Sequence, residues 1–160
     1  MSYWIIFCSG DAGQNNHLRI ELVYMRRFQL IGHTADTGLI AYGKDLAEAF
    51  ANAAYGLFSI ISEIKKVKEV ESRRVTVNAE DAEGLLFDWL NHLIYFFDVE
   101  NLLFKRFDII EFSESSLKVI CWGEKYEPYR HRLKTGVKSA TYHMLEVDGT
   151  KQRVQVIFDV

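Results

Sequence analysis

The stretch Phe28-Gln29-Leu30-Ile31-Gly32-His33-Thr34-Ala35-Asp36-Thr37-Gly38-Leu39-Ile40-Ala41-Tyr42-Gly43 sets the reading of the chain. An apolar run enters a compact polar turn and a second apolar run leaves it, the pattern of strand, turn, strand. His33, Thr34 and Asp36 bring an imidazole, a hydroxyl and a carboxylate within four positions. Gly38 is expected to supply backbone angles that other residues resist. The far end answers this segment. Ile157-Phe158-Asp159-Val160 reads as a strand that carries a side-chain carboxylate and a main-chain carboxylate one residue apart. With Asp36 these make three hard oxygen groups able to share one cation, if the two segments meet.

Between them the periodicity is helical twice. Leu46, Ala49, Phe50, Ala53, Ala54, Leu57, Phe58 and Ile61 form one apolar stripe, predicting a helix over 45–61 with Asp45 as cap and Glu48 completing a capping box. Leu85, Leu86, Trp89, Leu90, Leu93, Ile94 and Phe97 predict a second helix over 81–97, with His92 on its outer side. Residues 74–79 alternate as a half-buried strand, and 102–112 and 117–121 read as a hairpin around Ser113-Glu114-Ser115-Ser116. Residues 137–147 and 152–158 are the last strands, joined around Asp148-Gly149. The order predicts a single α+β domain, with two helices packed on one face of a mostly antiparallel or mixed β-sheet.

Bulk properties exclude several classes. A hydrophobic content of 49% and an aromatic content of 14% exclude a disordered chain. The net charge of −3 gives no global signal for nucleic-acid binding. Cys8 and Cys121 form neither a redox pair nor a metal-ligand spacing, which suits free thiols in a reducing cytoplasm. No apolar run reaches the length of a membrane span. Residues 1–27, with the turn-rich stretch 10–16, stand apart from the rest as an extension. Met25 offers an alternative start that would make 1–24 a mis-called or poorly ordered arm.

Each chemical candidate has a bland alternative. Asp36 could simply bond its own turn backbone. His33 and Asp36 could act as general base and orienter, but no nucleophile stands beside them, and a packed histidine explains His33 equally well. In strand 137–147, Thr141 and His143 share one face, with Lys138 on the other beside Ala140 and Tyr142, unless a bulge intervenes. Lys138 could meet a phosphate or an acidic partner, or could be a solvated lysine at a strand start. The run Lys65-Lys66-Val67-Lys68 reads as a solvated loop. Residues 126–138 hold the only proline and most of the clustered positive charge: Arg130, His131, Arg132, Lys134 and Lys138. Tyr126 and Tyr129 could stack bases there. On a net-acidic domain, docking of an acidic protein surface is the preferred reading.

His33-Thr34-Ala35-Asp36-x-Gly38, Leu46-Ala47-Glu48-Ala49-Phe50, Leu85-Leu86-x-x-Trp89-Leu90-Asn91, Val137-Lys138-x-x-Thr141-Tyr142-His143 and the Asp159-Val160 end, in this order, resemble the archease family over 28–160. The resemblance implies a non-catalytic activator of the GTP-dependent RNA ligase of tRNA splicing. That ligase joins a 2′,3′-cyclic phosphate or 3′-phosphate end to a 5′-hydroxyl, and the activator promotes its guanylylation and multiple turnover. The resemblance also implies a metal site at Asp36, Asp159 and Val160, expected to take a divalent cation and by its oxygen donors Ca²⁺. It implicates Lys138 in activation, with RNA met only indirectly; His33, His143 and Arg130 are further candidates for contact with partner or nucleotide. Two departures stand out: Val160 replaces the usual Ile, and Lys138-Ser139-Ala140-Thr141 replaces the usual Lys-Ala-Val-Thr. The competing readings are a stand-alone metal-dependent phosphoesterase and a general chaperone-like binding module.

Overall fold

A computed structural model describes residues 26–32 and 35–160. The expectations for residues 1–24 and for His33 therefore lie outside the described residues. The chain runs β1 (Phe28–Gly32), β2 (Thr37–Tyr42), α1 (Leu46–Ile61), β3 (Glu71–Asn78), α2 (Ala82–Glu100), β4 (Leu102–Phe112), β5 (Ser116–Lys125), β6 (Ser139–Asp148) and β7 (Arg153–Asp159), with a 3₁₀ turn at Ile64–Lys66.

The α+β class and the two helices are as the sequence predicts. All strand pairing is antiparallel, but the strands divide between two sheets, β1-β2-β7-β6 and β3-β5-β4, where a single sheet was expected. The helices lie between them. α1 touches β1, β2 and β7 on one side and β4 on the other, while α2 touches β6 on one side and β3, β4 and β5 on the other.

The composition of α1 explains why one apolar stripe concealed two buried faces. Phe58 meets Phe104 and Phe107 of β4, at centroid distances of 5.8 and 6.1 Å, and Phe50 meets Phe112 at 5.0 Å. The other face is made of small or polar residues that are buried all the same, Asn52 and Gly56 among them. A Cβ on Gly56 would sit 2.9 Å from Leu39 Cδ2 and 3.1 Å from Phe28 Cγ, so glycine is what lets β1 and β2 lie close to the helix. Asn52 donates to the Tyr42 carbonyl (2.6 Å) and accepts from Arg27 Nε (2.8 Å), which satisfies its buried amide. Arg27 also stacks on Tyr55 at 4.0 Å, so the chain docks on α1 from just before β1.

The helix ends follow the sequence signals closely. Asp45 caps α1 by accepting from Glu48 N (2.8 Å), and Glu48 reaches back to accept from Lys44 N (2.6 Å). Asp81 caps α2 by accepting from Gly84 N (2.7 Å). α2 runs three residues beyond the predicted end, because Asn101 adopts the left-handed conformation (φ 54°) that closes a helix and 98–100 can remain helical before it.

Gly38 corrects the sequence expectation. No described glycine has a positive φ, so its role is not an unusual backbone angle. A Cβ there would fall 2.5 Å from Ile157 Cδ1 and 3.0 Å from the Val156 carbonyl oxygen, so glycine is needed for close approach of β2 to β7.

Filling the second face of α1 tests this architecture. Gly56→Val is expected to destabilise the protein by about 1–3 kcal/mol through overpacking against β1 and β2, read as a lower midpoint in urea denaturation.

Candidate functional site

The β2–β7 pairing brings the two ends of the sequence argument together. Thr37 stands opposite Phe158 and Gly38 opposite Ile157. Continuing that register by one residue sets Asp36 against Asp159 at the end of the ladder. On its other edge β7 pairs with β6, with Asp159 opposite Ser139 and the Asp159 carbonyl accepting from Lys138 N at 2.8 Å. Asp36, Asp159, Val160 and the backbone of Lys138 thus share one end of the four-stranded sheet.

Asp36 is half-buried, Asp159 is exposed, and neither carboxylate is hydrogen-bonded to a described side chain or backbone group. Val160 packs its side chain against the core, which leaves its main-chain oxygens as its polar contribution. These donors are all hard oxygen, the type that Ca²⁺ or Mg²⁺ takes and Zn²⁺ does not prefer. Among the described residues, no group of three or more His, Cys, Asp and Glu side chains gathers as a metal site. The donor chemistry fits a hard cation, and water or partner groups would have to complete its shell.

The other sequence candidates are dispersed. Ala140 and Tyr142 face α2: Asn91 Oδ1 accepts from Ala140 N (2.9 Å), and Tyr142 stacks on Phe87 with centroids 4.1 Å apart. Thr141 donates its hydroxyl to the Ile157 carbonyl (2.9 Å). β6 then bulges, since its register on β7 breaks between Thr141 and Glu146 and Met144 takes φ 54°. His143 lies exposed in this bulge, away from the rung that Asp159 shares with Ser139.

Arg130 is committed internally. Its guanidinium donates to both carboxylate oxygens of Glu124 (2.7 and 3.2 Å) and to Glu127 (2.9 Å). Glu124 is 5% exposed and also accepts from Lys68 N (2.8 Å). The buried His131 accepts from Glu127 N at Nδ1 (2.9 Å), which assigns its proton to Nε2, 2.8 Å from Glu124. Burial alone would raise the pKa of Glu124. The hydrogen bonds from Arg130, Lys68 and His131 outweigh it and hold the carboxyl at about 2, below its ordinary 4.5. Sequence reading treated 126–138 as a basic loop. It missed that a buried glutamate on β5 anchors it, because the pairing spans a strand and a turn with no local pattern.

The rest of the loop crosses the ends of both helices. Tyr126 N donates to the Asn101 carbonyl, Lys134 N donates to the Ile61 carbonyl, and Ser62 bridges to Leu133. Cys121 is fully buried; burial, with the nearby Asp108 adding to it, pushes its thiol well above the usual range, so it is inert as a nucleophile.

A model of the Archease protein family matches residues 28–160. The chain belongs to the archease family. A protein archease from Saccharolobus islandicus is 42% identical over 137 residues, 85% of this chain and 99% of that protein. The archease of Sulfurisphaera tokodaii is 38% identical over 125 residues, covering 78% and 90%. A protein of Methanobacterium thermoautotrophicum, determined in solution, superposes with a TM-score of 0.71 at 34% identity, covering 84% of this chain and 99% of that one. A crystallised archease from Thermotoga maritima, called a possible chaperone, has the same fold at 22% identity and a TM-score of 0.51. Among the described residues of this archease, no helix is long and apolar enough to cross a membrane.

Two measurements test the supports of the site. Asn91→Ala leaves the Ala140 N–H at the sheet edge without its partner and is expected to cost about 1–2 kcal/mol, seen as a lower thermal midpoint. Glu124 has a folded pKa below its unfolded value. Its contribution is therefore complete above pH 4.5 and is lost as pH falls toward 2. In urea denaturation across that window, the stability gap between wild type and Glu124→Gln should narrow with falling pH.

Proposed function

We propose that this chain is a non-catalytic activator of the GTP-dependent RNA ligase of tRNA splicing, promoting guanylylation of the ligase and its multiple turnover. The observation that carries the reading is the meeting of Asp36 and Asp159 at one end of the β2–β7 ladder, in a chain of the archease family. Cys121 is too deeply buried to act as a nucleophile, which favours an accessory role over a stand-alone phosphoesterase.

In this reading Asp36, Asp159 and a main-chain oxygen of Val160 hold a divalent cation, Ca²⁺ by donor type. When bound, such a cation supplies positive charge and free coordination positions for phosphate oxygens. The residues themselves present a rigid acidic edge, fixed because Asp159 is bonded into β6 through Lys138 N. Lys138, whose side chain is exposed beside that edge, supplies a mobile cation for a phosphate or acidic group of the docked ligase. His143 serves as a more peripheral contact on the bulged strand, and His33, which follows β1 in the sequence, as another. Arg130 acts by holding the loop.

The experiment is multiple-turnover ligation by the cognate ligase with GTP, metal and substoichiometric amounts of this protein. Asp36→Ala and Asp159→Ala are expected to reduce conversion to about one event per ligase. Their stability should stay within about 0.5 kcal/mol of wild type, because neither carboxylate bonds a described group. Full stimulation by both folded variants would sink the reading. Suppression of aggregation of unrelated clients, with no effect on ligation, would instead favour the chaperone-like module.

A further inference from the structure

An open cleft of about 610 Å³ lies beside the basic loop, lined by Lys65, Lys66, Lys68, Lys105 and Arg130. These residues come from three separate parts of the chain: the turn after α1, strand β4 and the loop after β5. The turn that carries the lysines is held rigidly. Val67 is buried, Lys68 N is bonded to Glu124, Val70 N is bonded to the Gly123 carbonyl (2.9 Å), and Lys105 Nζ reaches the Lys65 carbonyl (3.3 Å). Much of the surrounding charge is already neutralised. Lys66 pairs with Glu63 (2.7 Å), Arg130 with Glu124 and Glu127, and Glu69, the acid on the cleft wall, with Arg106 (2.8 Å). Lys65 and Lys68 have no ion-pair partner among the described residues, and both are exposed. The fold thus fixes two uncompensated ammonium groups on one wall and keeps the neighbouring acids occupied.

Beside Arg130 stands Tyr129, 99% exposed. It sits at the apex of a turn pinned by Arg130 N and His131 N, which both donate to the Glu127 carbonyl (3.0 and 2.9 Å). A fully exposed ring on a pinned turn adds nothing to the core. Tyr126, the other aromatic of this loop, packs instead against Phe97 and His131. A charged groove, with an exposed aromatic ring on the residue next to one of its lining side chains, is the combination that binds single-stranded nucleic acid: cations follow the phosphates and the ring stacks a base. An acidic peptide would use the lysines but has no need of the ring.

We propose that this cleft, with Tyr129, binds a single-stranded nucleic acid segment directly, the lysines holding phosphodiester groups and Tyr129 stacking one base. This goes beyond the ligase-activator reading, in which RNA is met only through the partner, and it does not depend on that reading. The test is fluorescence anisotropy of a short labelled oligoadenylate with the full chain and no ligase, so that failure here is separate from failure of ligase activation. Binding is expected to weaken with salt, log K falling by about 0.7 per phosphate engaged for each unit of log salt. Lys65→Glu with Lys68→Glu should lower affinity by about tenfold or more. Tyr129→Ala should lower it by roughly tenfold, the stacking contribution of one base. Lys151→Glu, a single charge reversal on the β6–β7 turn, should have a much smaller effect than Lys65→Glu alone. Circular dichroism checks that the variants are folded. Absence of binding at low salt, equal loss in the Lys151 variant, unchanged affinity in Tyr129→Ala, or displacement by polyglutamate as effective as by unlabelled oligonucleotide would each overturn the proposal.

Discussion

The antiparallel pairing of β2 with β7 is the constraint on which the rest depends. It joins two segments more than a hundred residues apart and fixes their register over six pairs, from Thr37–Phe158 to Tyr42–Arg153. A slip of one residue would turn either Leu39 and Ala41 or Val154 and Val156 out of the core, so the apolar pattern locks the register. The lock has a consequence at the ladder's end. Asp36 and Asp159 cannot drift past one another without the core being lost. The candidate site is thus positioned by hydrophobic burial and backbone pairing, with no direct bond between its two carboxylates.

The second consequence is architectural. A sheet with β2 and β7 at its centre needs a helix on its inner face, and α1 fills that place. The same helix also covers β4. A helix between two sheets has to be apolar or small nearly all round, and α1 meets this with alanines, Gly56 and a satisfied Asn52. Aromatic contacts from Phe50 and Phe58 face one sheet, and close backbone approach at Gly56 serves the other. The two faces use different means, dispersion from large rings and the fit of small residues.

Much of this was legible in the sequence, and the limits are physical. Strand and helix existence, the Asp45 cap of α1 and the α+β class follow from local spacing, which is where sequence carries most information. The division into two sheets was not legible, because small residues on α1 hide its second face from a hydrophobicity pattern and because pairing partners lie far apart in the chain. Gly38 was recognised as special for a wrong reason: a glycine required by a neighbouring strand looks, in sequence, like one required by its own backbone angles. For the candidate site, the residue types were legible, and the convergence of 36 with 159 was an inference from resemblance. The commitment of Arg130 to a buried Glu124 was invisible, since nothing local marks Glu124 as buried. The bulge in β6, which separates His143 from the Asp159 rung, was likewise only an open alternative.

The net charge of the chain concealed how charge is distributed. Neither helix has a basic residue in its last turn, and each begins behind an aspartate cap. The partial negative charge of the helix C-termini is met by lysines from elsewhere: Lys134 Nζ donates to the Ser59 carbonyl (2.6 Å), and Lys125 Nζ to the Glu100 carbonyl (2.6 Å). Lys125 stands just before the loop 126–138 and Lys134 within it; the loop crosses these helix ends before reaching Asp159. At the opposite end Glu80, Asp81, Glu83 and Glu114 gather around the start of α2. Acids therefore collect where helix N-termini favour them and bases where C-termini do. A domain that is acidic on balance thus places lysines at its helix C-termini by the same electrostatics that stabilise its helices. Bulk charge therefore averages over an acid-rich helix start and a region near the helix ends where lysines stand among acids that are largely paired.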